Sequence, residues 1–265
     1  MKEILDAVSP LYGVCSFELI QNNLIPCRAK ERLPENAKSV IIMAFPYRLD
    51  DEISKDTNVS KYAISADYHG IVLSRLESAA GKLREKYKGF EFEPFADNSP
   101  VPEVMTAALA GIGVRGRNSL LITKEYGSFV FLGEIVTDME IPPTGGIIKD
   151  CTGCGRCVDA CPGNAIDVSH INKENCLSDI TQKKGELTRQ QINMIASSGC
   201  AWGCDICQDV CPLNRGTSVT DIEEFISSAI PVIDDSTPVE GRAYAWRGEK
   251  TIRRNLGIIR SKDEY

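Results

Sequence analysis

The sequence predicts an α+β chain built from a mixed helix–strand half and a metal-cluster half. Three observations lead there. Short apolar, β-branched runs and one long amphipathic stretch alternate over residues 1–146. Pro142, Pro143, Gly145 and Gly146 then read as a linker. Beyond it, nine of the 11 cysteines crowd between Cys151 and Cys211. The expected division is an α/β domain over 1–146, a cysteine-rich domain over 147–215 and a helical tail over 216–265.

The 265 residues and the hydrophobic fraction of 43% are enough for a substantial core. No apolar run approaches the ~18 residues of a membrane span. The N-terminal MKEILDAVSPLYG lacks the long apolar stretch of a secretory signal. Cysteines at metal-ligand spacing predict a reducing, cytoplasmic setting, with Cys15 and Cys27 as free thiols. The net charge of −7 argues against nonspecific nucleic-acid binding by the whole surface.

Along the chain, residues 2–12 suit a short helix limited by Pro10, and 13–20 a strand. Ser39–Phe45 is a continuous apolar run, the mark of a buried strand. Residues 47–60 are polar and loop-like. From Tyr62 to Tyr87, apolar residues at Val72, Leu73, Leu76, Ala79, Ala80 and Leu83 follow helical spacing. Phe90–Phe95 alternates like a half-buried strand. Val101–Ala110 reads as a helix stopped at Gly111. Ser119–Thr123 and Ser128–Thr137 read as strands joined by a turn at Lys124–Gly127. In the tail, 222–229 suits a helix, and a basic stretch runs from Arg242 to Lys262.

The cysteines carry the sharpest chemistry. C-T-G-C-G-R-C-V-D-A-C-P opens the run and G-C-D-I-C-Q-D-V-C-P closes it. Each is a short-spaced set ending in Cys-Pro, the ligand pattern of a paired 4Fe–4S module. In that pattern three thiolates come from one loop and the Cys before Pro crosses to the other cluster. Cys151, Cys154, Cys157 and Cys211 then hold one cluster. Cys161, Cys204 and Cys207 hold three corners of the second. Spacing alone leaves its last ligand as Cys176 or Cys200. Zinc and disulfides are the competing readings, and zinc sites usually lack the Cys-Pro ending.

Several stretches resemble the epoxyqueuosine reductase family. They are Y-A-I-S-A-D-Y-H at Tyr62–His69, D-N-S-P-V at Asp97–Val101, A-G-I-G-V-R-G-R-N-S-L-L-I at Ala110–Ile122 and F-L-G-E-I at Phe131–Ile135. C-L-S-D-I-T at Cys176–Thr181 and G-C-D-I-C-Q-D-V-C-P-L-N at Gly203–Asn214 belong to the same likeness. It covers most of residues 38–215 and continues weakly in A-W-R-G-E-K-T-I-R-R-N-L at Ala245–Leu256.

The resemblance implies a nitroreductase-like cobalamin-binding domain followed by a ferredoxin-like domain with two 4Fe–4S clusters. Electrons pass through the clusters to cobalt, and the epoxide of epoxyqueuosine in tRNA is reduced. It implies that Asp97 is the proton donor, that Tyr62, Asn118, Leu121, Gly133, Glu134 and Gly203 lie near the corrin, and that Cys176 is the fourth ligand of the second cluster. It also implies an external donor of flavodoxin or ferredoxin type. With two histidines, His69 and His170, and no D-x-H-x-x-G, a base-off corrinoid is expected. Each position has a plainer reading. Asp97 has the spacing to cap a helix starting near Pro100. Tyr62, Asp67, Tyr68 and His69 suit a helix N-terminus. The remaining positions suit ordinary strand and turn packing.

The chain departs from the family pattern at three places. Pro102-Glu103-Val104 stands where the family has Leu-Glu-Arg, Val114 where it has tryptophan, and longer members continue into HEAT-like repeats. A short member is expected, with tRNA phosphates met by Arg242, Arg247, Lys250, Arg253, Arg254, Arg260 and Lys262, unless these form a solvated helix face. The alternatives are a ferredoxin-type carrier without corrinoid and a corrinoid reductase acting on another small molecule such as an organohalide.

Overall fold

The computed structural model describes residues 1–167 and 170–261; the expected basic position Lys262 lies outside them. The chain gathers into two compact units. The first comprises Met1–Pro46, His69–Gly116 and Leu120–Thr152; the second comprises Tyr47–Tyr68, Arg117–Ser119 and the chain from Gly153 onward. These units are drawn differently from the linear division expected at residues 146 and 215.

In the first unit, α1 (Lys2–Asp6) is shorter than the expected 2–12 helix. Ser9 explains the early start of β1 (Leu11–Ser16): its hydroxyl donates to the Ala44 carbonyl (2.6 Å) and accepts from the Leu11 N–H (3.1 Å). That aligns Leu11 opposite Ala44. The apolar run forms β2 (Ser39–Pro46), buried along its whole length as a central strand requires.

In the second unit, a single helical turn α2 (Asp51–Ser54) follows, with the Asp50 side chain accepting from the Glu52 N–H. The long helix of the first unit, α3, spans Tyr68–Lys86 and buries Val72, Leu76, Ala79, Ala80 and Leu83. It begins six residues later than its periodicity suggests, because residues 60–67 bond outward instead of to one another. The Ser65 hydroxyl donates to the Phe225 carbonyl, the Asp67 N–H to Gly241 and the Arg242 guanidinium to Ile64, all within the second unit.

Then come β3 (Phe92–Phe95), α4 (Glu103–Leu109), the short pair β4 (Val114–Arg115) and β5 (Leu121–Ile122), and β6 (Val130–Thr137). The sheet order is β1-β2-β6-β3 and every pairing is antiparallel. The expected turn at 124–127 is present, with Thr123 N–H bonding Gly127 O, but β5 pairs with β4 while β6 enters the main sheet. One sheet face presents Val40, Ile42, Ala44 and Val136 to Ala107 and Ala108 of α4. The other carries Met43 and Gly133 toward α3. A Cβ on Gly133 would lie 2.7 Å from Leu76 and 2.9 Å from Val72, so this helix sits as close as a bare strand allows.

The rest of the second unit is helical: α5 (Arg156–Asp159), α6 (Leu177–Gln182), α7 (Arg189–Ser198), α8 (Ile206–Asp209), α9 (Glu223–Ser227) and α10 (Glu249–Arg260). Helix α7 opens with a capping box between Thr188 and Gln191 and ends at Gly199 in the left-handed region. Helix α10 packs on α6 and α7, which explains why the tail groups with the cluster segment. Among the described residues no helix is long and apolar enough to cross a membrane.

Asn255 clasps this arrangement. Fully buried on α10, its amide donates to the carbonyls of Thr181 (2.7 Å) and Ala201 (2.8 Å). Asn255→Ala is expected to leave both carbonyls unpaired and lower the stability of the second unit by about 1–3 kcal/mol. Urea unfolding of cluster-matched samples, followed by far-UV circular dichroism, checks this.

Candidate active site and cluster centre

The loop after β3 builds the first centre. Asp97 holds φ at +60°, a left-handed conformation that non-glycine residues enter at a cost. The turn is set by Ser99, whose N–H bonds the Asp97 carbonyl and whose Oγ accepts from the Val101 N–H at 3.0 Å. Asp97 Oδ2 lies 3.0 Å from His69 Nε2, on the second residue of α3. Their side chains are 58% and 38% exposed. The Asp97 carboxylate is therefore open to solvent. It does not cap α4 either: that helix starts at Glu103 with Pro102 at its N-cap and no side-chain cap.

The buried acids stand beside it. Glu134 occupies the middle of β6, fully buried, on the stripe that carries Val130, Leu132 and Val136 toward α4. The Ser99 hydroxyl donates to its Oε1, and its Oε2 has no partner. Glu103 opens α4; its Oε1 is sealed from solvent and unpartnered. Burial, and then the negative charge of Asp97, push the Glu103 carboxyl up to about 8, against the pull of the Asp97 N–H bond and of His69. Burial first, and then the charge of Glu103, also raise Glu134 well above the usual carboxylate range, the Ser99 bond opposing. Sequence reasoning singled out Glu134 but passed over Glu103, because an acid in the first turn of a helix reads as a solvated dipole partner.

The other residues expected near a corrin divide between the units. In the first, Leu121 lies in the core around α4, and Gly133 meets α3 as described. In the second, the Tyr62 hydroxyl accepts from Trp202 Nε1 at 2.7 Å. Gly203, at φ +79°, leaves no room for a side chain: a Cβ would lie 2.4 Å from Ser60 and 2.9 Å from Tyr62. Asn118 is 7% exposed; its Nδ2 points at Cys207 Sγ at 3.7 Å, and its Oδ1 is buried without a partner.

The two cysteine runs fold alike. Helices α5 and α8 pack together, each carrying a run's penultimate cysteine (Cys157, Cys207) and leading into Cys-Pro. Gly163, just past the first Cys-Pro, is pressed against the Asn175 carbonyl, 1.9 Å from where its Cβ would be. Only a glycine lets the chain after Cys161 approach the residue preceding Cys176. The Ala165 N–H donates to Cys161 Sγ at 3.2 Å.

Burial first, and then neighbouring charges, push the Cys204 and Cys207 thiols up to about 12: Asp205, Cys200 and Cys176 act on Cys204, and Cys204, Cys176 and Asp205 on Cys207. Cys200 is also pushed to about 12 by burial, but its thiol donates to the backbone carbonyls of Trp202 (3.2 Å) and Gly203 (3.5 Å). The donor set suits a soft metal cluster. Among the described residues no three His, Cys, Asp or Glu side chains close on one point as they would around a single ion. A cubane spreads its thiolates over separate corners.

The arginines of the tail are mostly engaged within the second unit. Arg242 bonds the carbonyls of Ile64 and Ser228, Arg254 bonds Gly185, and Arg260 pairs with Asp235. Arg253 pairs with Glu249 and bonds Thr237. Arg247 stacks 3.7 Å over Trp246, which is 59% exposed.

Glu103 makes the first unit's stability depend on pH. An acid whose pKa is raised on folding keeps a proton that the unfolded chain releases, so stability falls as pH rises from the unfolded value of 4.5 toward about 8. Glu103→Gln removes this loss. The variant's urea midpoint, measured at pH 5, 6, 7 and 8, is expected to rise relative to wild type across the series.

The comparisons with known proteins agree with this chemistry. Residues 150–214 match the family model for a 4Fe-4S double cluster binding domain, and residues 28–98 match the model for epoxyqueuosine reductase QueG, DUF1730. The epoxyqueuosine reductase of Lactococcus garvieae (strain Lg2) is 31% identical over 241 residues, covering 84% of this chain and 68% of the relative. The structure of epoxyqueuosine reductase from Streptococcus thermophilus aligns over 100% of this chain and 80% of its own, with TM-score 0.80 and 26% identity. A crystal structure of epoxyqueuosine reductase with an epoxyqueuosine-modified tRNA-Tyr stem loop aligns over 98% of this chain and 80% of its own, with TM-score 0.82 and 25% identity. Residues 150–214 are thus a double 4Fe–4S domain, and the chain belongs to the epoxyqueuosine reductase family.

Proposed function

We propose that this chain is a cobalamin-dependent reductase that removes the epoxide oxygen of epoxyqueuosine in tRNA. The observation that carries the reading is the Asp97–His69 pair on a strained turn, in a chain that also holds a double 4Fe–4S domain. The relative crystallised with a modified stem loop supports tRNA as the substrate class. When bound, the corrin supplies a strong two-electron reductant at cobalt.

The chain's own residues supply the rest. Asp97 holds a proton at Oδ2 where the opening epoxide oxygen can take it, since expelling that oxygen requires acid. His69 fixes the carboxyl through the 3.0 Å hydrogen bond. Asn118 is suited to a cofactor beside the second cluster: its amide donates toward Cys207, and its orphaned Oδ1 is an acceptor awaiting a donor. Gly203 and Tyr62 shape a wall in the same unit. His69 is engaged with Asp97, which suits a corrin without a lower axial histidine.

The clusters are held by Cys151, Cys154, Cys157 and Cys211, and by Cys161, Cys176, Cys204 and Cys207. The last choice is supported by the likeness at Cys176–Thr181 and by the donation of the Cys200 thiol to backbone carbonyls. Electrons enter from a flavodoxin- or ferredoxin-type donor. In the tail, exposed Lys250 and the Trp246–Arg247 stack offer tRNA a phosphate and a base contact.

Three outcomes test this. Wild-type protein is expected to restore queuosine in tRNA of a strain that accumulates epoxyqueuosine, as read by nucleoside mass spectrometry; persistent epoxyqueuosine would sink the reading. Asp97→Asn should keep iron and bind cobalamin yet lose turnover by about 100-fold or more. Cys176→Ala should lose about half the iron, whereas Cys200→Ala should keep it. The reverse pattern would reassign the fourth ligand.

A further inference from the structure

The two cysteine runs allow an internal comparison. Gly153 precedes Cys154 as Gly203 precedes Cys204, and α5 and α8 each start two residues after those cysteines. Both glycines are left-handed, at φ +68° and +79°. Their surroundings differ. At the second run the chain covers its own cluster loop. A Cβ on Gly203 would lie 2.4 Å from Ser60. The Asp205 carboxylate accepts from the Ser60 hydroxyl at 2.6 Å and from the Lys61 N–H at 2.7 Å, and the Ser60 N–H bonds the Trp202 carbonyl. At the first run, among the described residues, nothing lies within 4 Å of a Cβ built on Gly153. Gly153, Cys154 and Arg156 are exposed, and Cys154 is the one exposed cysteine among the described residues.

We propose that this bare loop is the docking surface for an acidic protein carrying a one-electron reductant, and that electrons enter the chain at Cys154 through the first cluster. The inference rests on the reductase reading above and names the face that the external donor meets. The transfer makes and breaks no bond: the reduced donor loses one electron and the cluster gains it.

Three features fit that partner. The first is approach. Electron transfer between proteins weakens steeply with distance, so a donor must come close to a cluster. Gly153 and Gly155 flank Cys154 and put no side chain in the way. The second is apolar contact. Leu213, two residues past the ligand Cys211, is 36% exposed. A small patch of this kind suits redox encounters, which bury little surface and must come apart again. The third is charge. A net charge of −7 repels an acidic partner at long range, so its docking face needs local positive charge. Arg156 and Arg215 are both exposed, and neither forms an ion pair among the described residues. One acid, Asp159, shares the face, its Oδ2 3.9 Å from where a Cβ on Gly155 would be, and the two arginines outnumber it.

Rapid-mixing absorbance on the cluster-loaded full chain, without corrin or tRNA, reads this entry step with reduced flavodoxin as the probe. Arg156→Glu combined with Arg215→Glu is expected to slow electron uptake about tenfold at low salt. The gap should close as salt rises. The neutral deazaflavin radical, a small reductant that needs no docking, should reduce wild type and variant alike, and iron content confirms that the clusters are intact. Lys183→Glu combined with Lys184→Glu makes the same change of charge between α6 and α7, and is expected to slow uptake less than about twofold. Should the arginine variant lose iron, Leu213→Glu takes its place, with the same expected slowing. A wild-type rate in the variant of this face, equal slowing by the lysine pair, or no uptake by wild type from reduced flavodoxin would overturn the proposal. If wild type takes electrons through this face yet leaves epoxyqueuosine unreduced, the reductase reading falls and the docking surface stands.

Discussion

A charge taken out of water must be neutralised, and this chain buries charges in both of its units. In the second unit the charges are thiolates. Without a partner the thiols of Cys204 and Cys207 are pushed up to about 12, so they remain protonated at neutral pH. A cluster held there would take them as thiolates and supply the positive charge that burial denies them, which couples cluster binding to the folding of this unit. The surrounding structure is arranged for the same end. The amide of Asn118 and the N–H of Ala165 point at sulfur, and the half-buried Asp205 beside Cys204 is met by the Ser60 hydroxyl and the Lys61 N–H. Gly163 and Gly203 remove side chains where the backbone must pass within reach of its neighbours.

In the first unit the buried charge is a carboxyl in a sheet. Every even position of β6 from Val130 to Val136 faces the α4 side, and three of the four are apolar. Glu134 breaks that stripe at full burial. Burying an acid this way costs stability unless it is protonated and bonded. Ser99 provides one bond, and the same Ser99 shapes the turn that holds Asp97. A burial that the core would reject on packing grounds thus tethers the Asp97 loop to an inner strand of the sheet.

The periodic features were legible in the sequence. The run at Ser39–Phe45, the stripe of Val72, Leu76, Ala79 and Leu83, and the double Cys-Pro pattern all map onto a buried strand, a long helix and a double-cluster domain. What the sequence did not yield depends on partners far along the chain. The helix expected from Tyr62 starts only at Tyr68, because Ser65 and Asp67 bond to Phe225 and Gly241 instead. The arginines of the tail look like a phosphate-binding stretch until their carbonyl and carboxylate partners are seen. Glu103 gives no local signal at all. Its raised pKa comes first from burial and then from the charge of Asp97, a setting that only the fold creates.

The departure at Val104 gains a physical meaning from this. Relatives in the pattern described above carry arginine there, and a guanidinium in the first turn of α4 would put a permanent cation within a few residues of three acids. Val104 instead packs against the apolar cluster formed by α4 and the sheet. Removing the cation leaves desolvation and mutual repulsion to set the charge state of Glu103, and both favour the neutral acid.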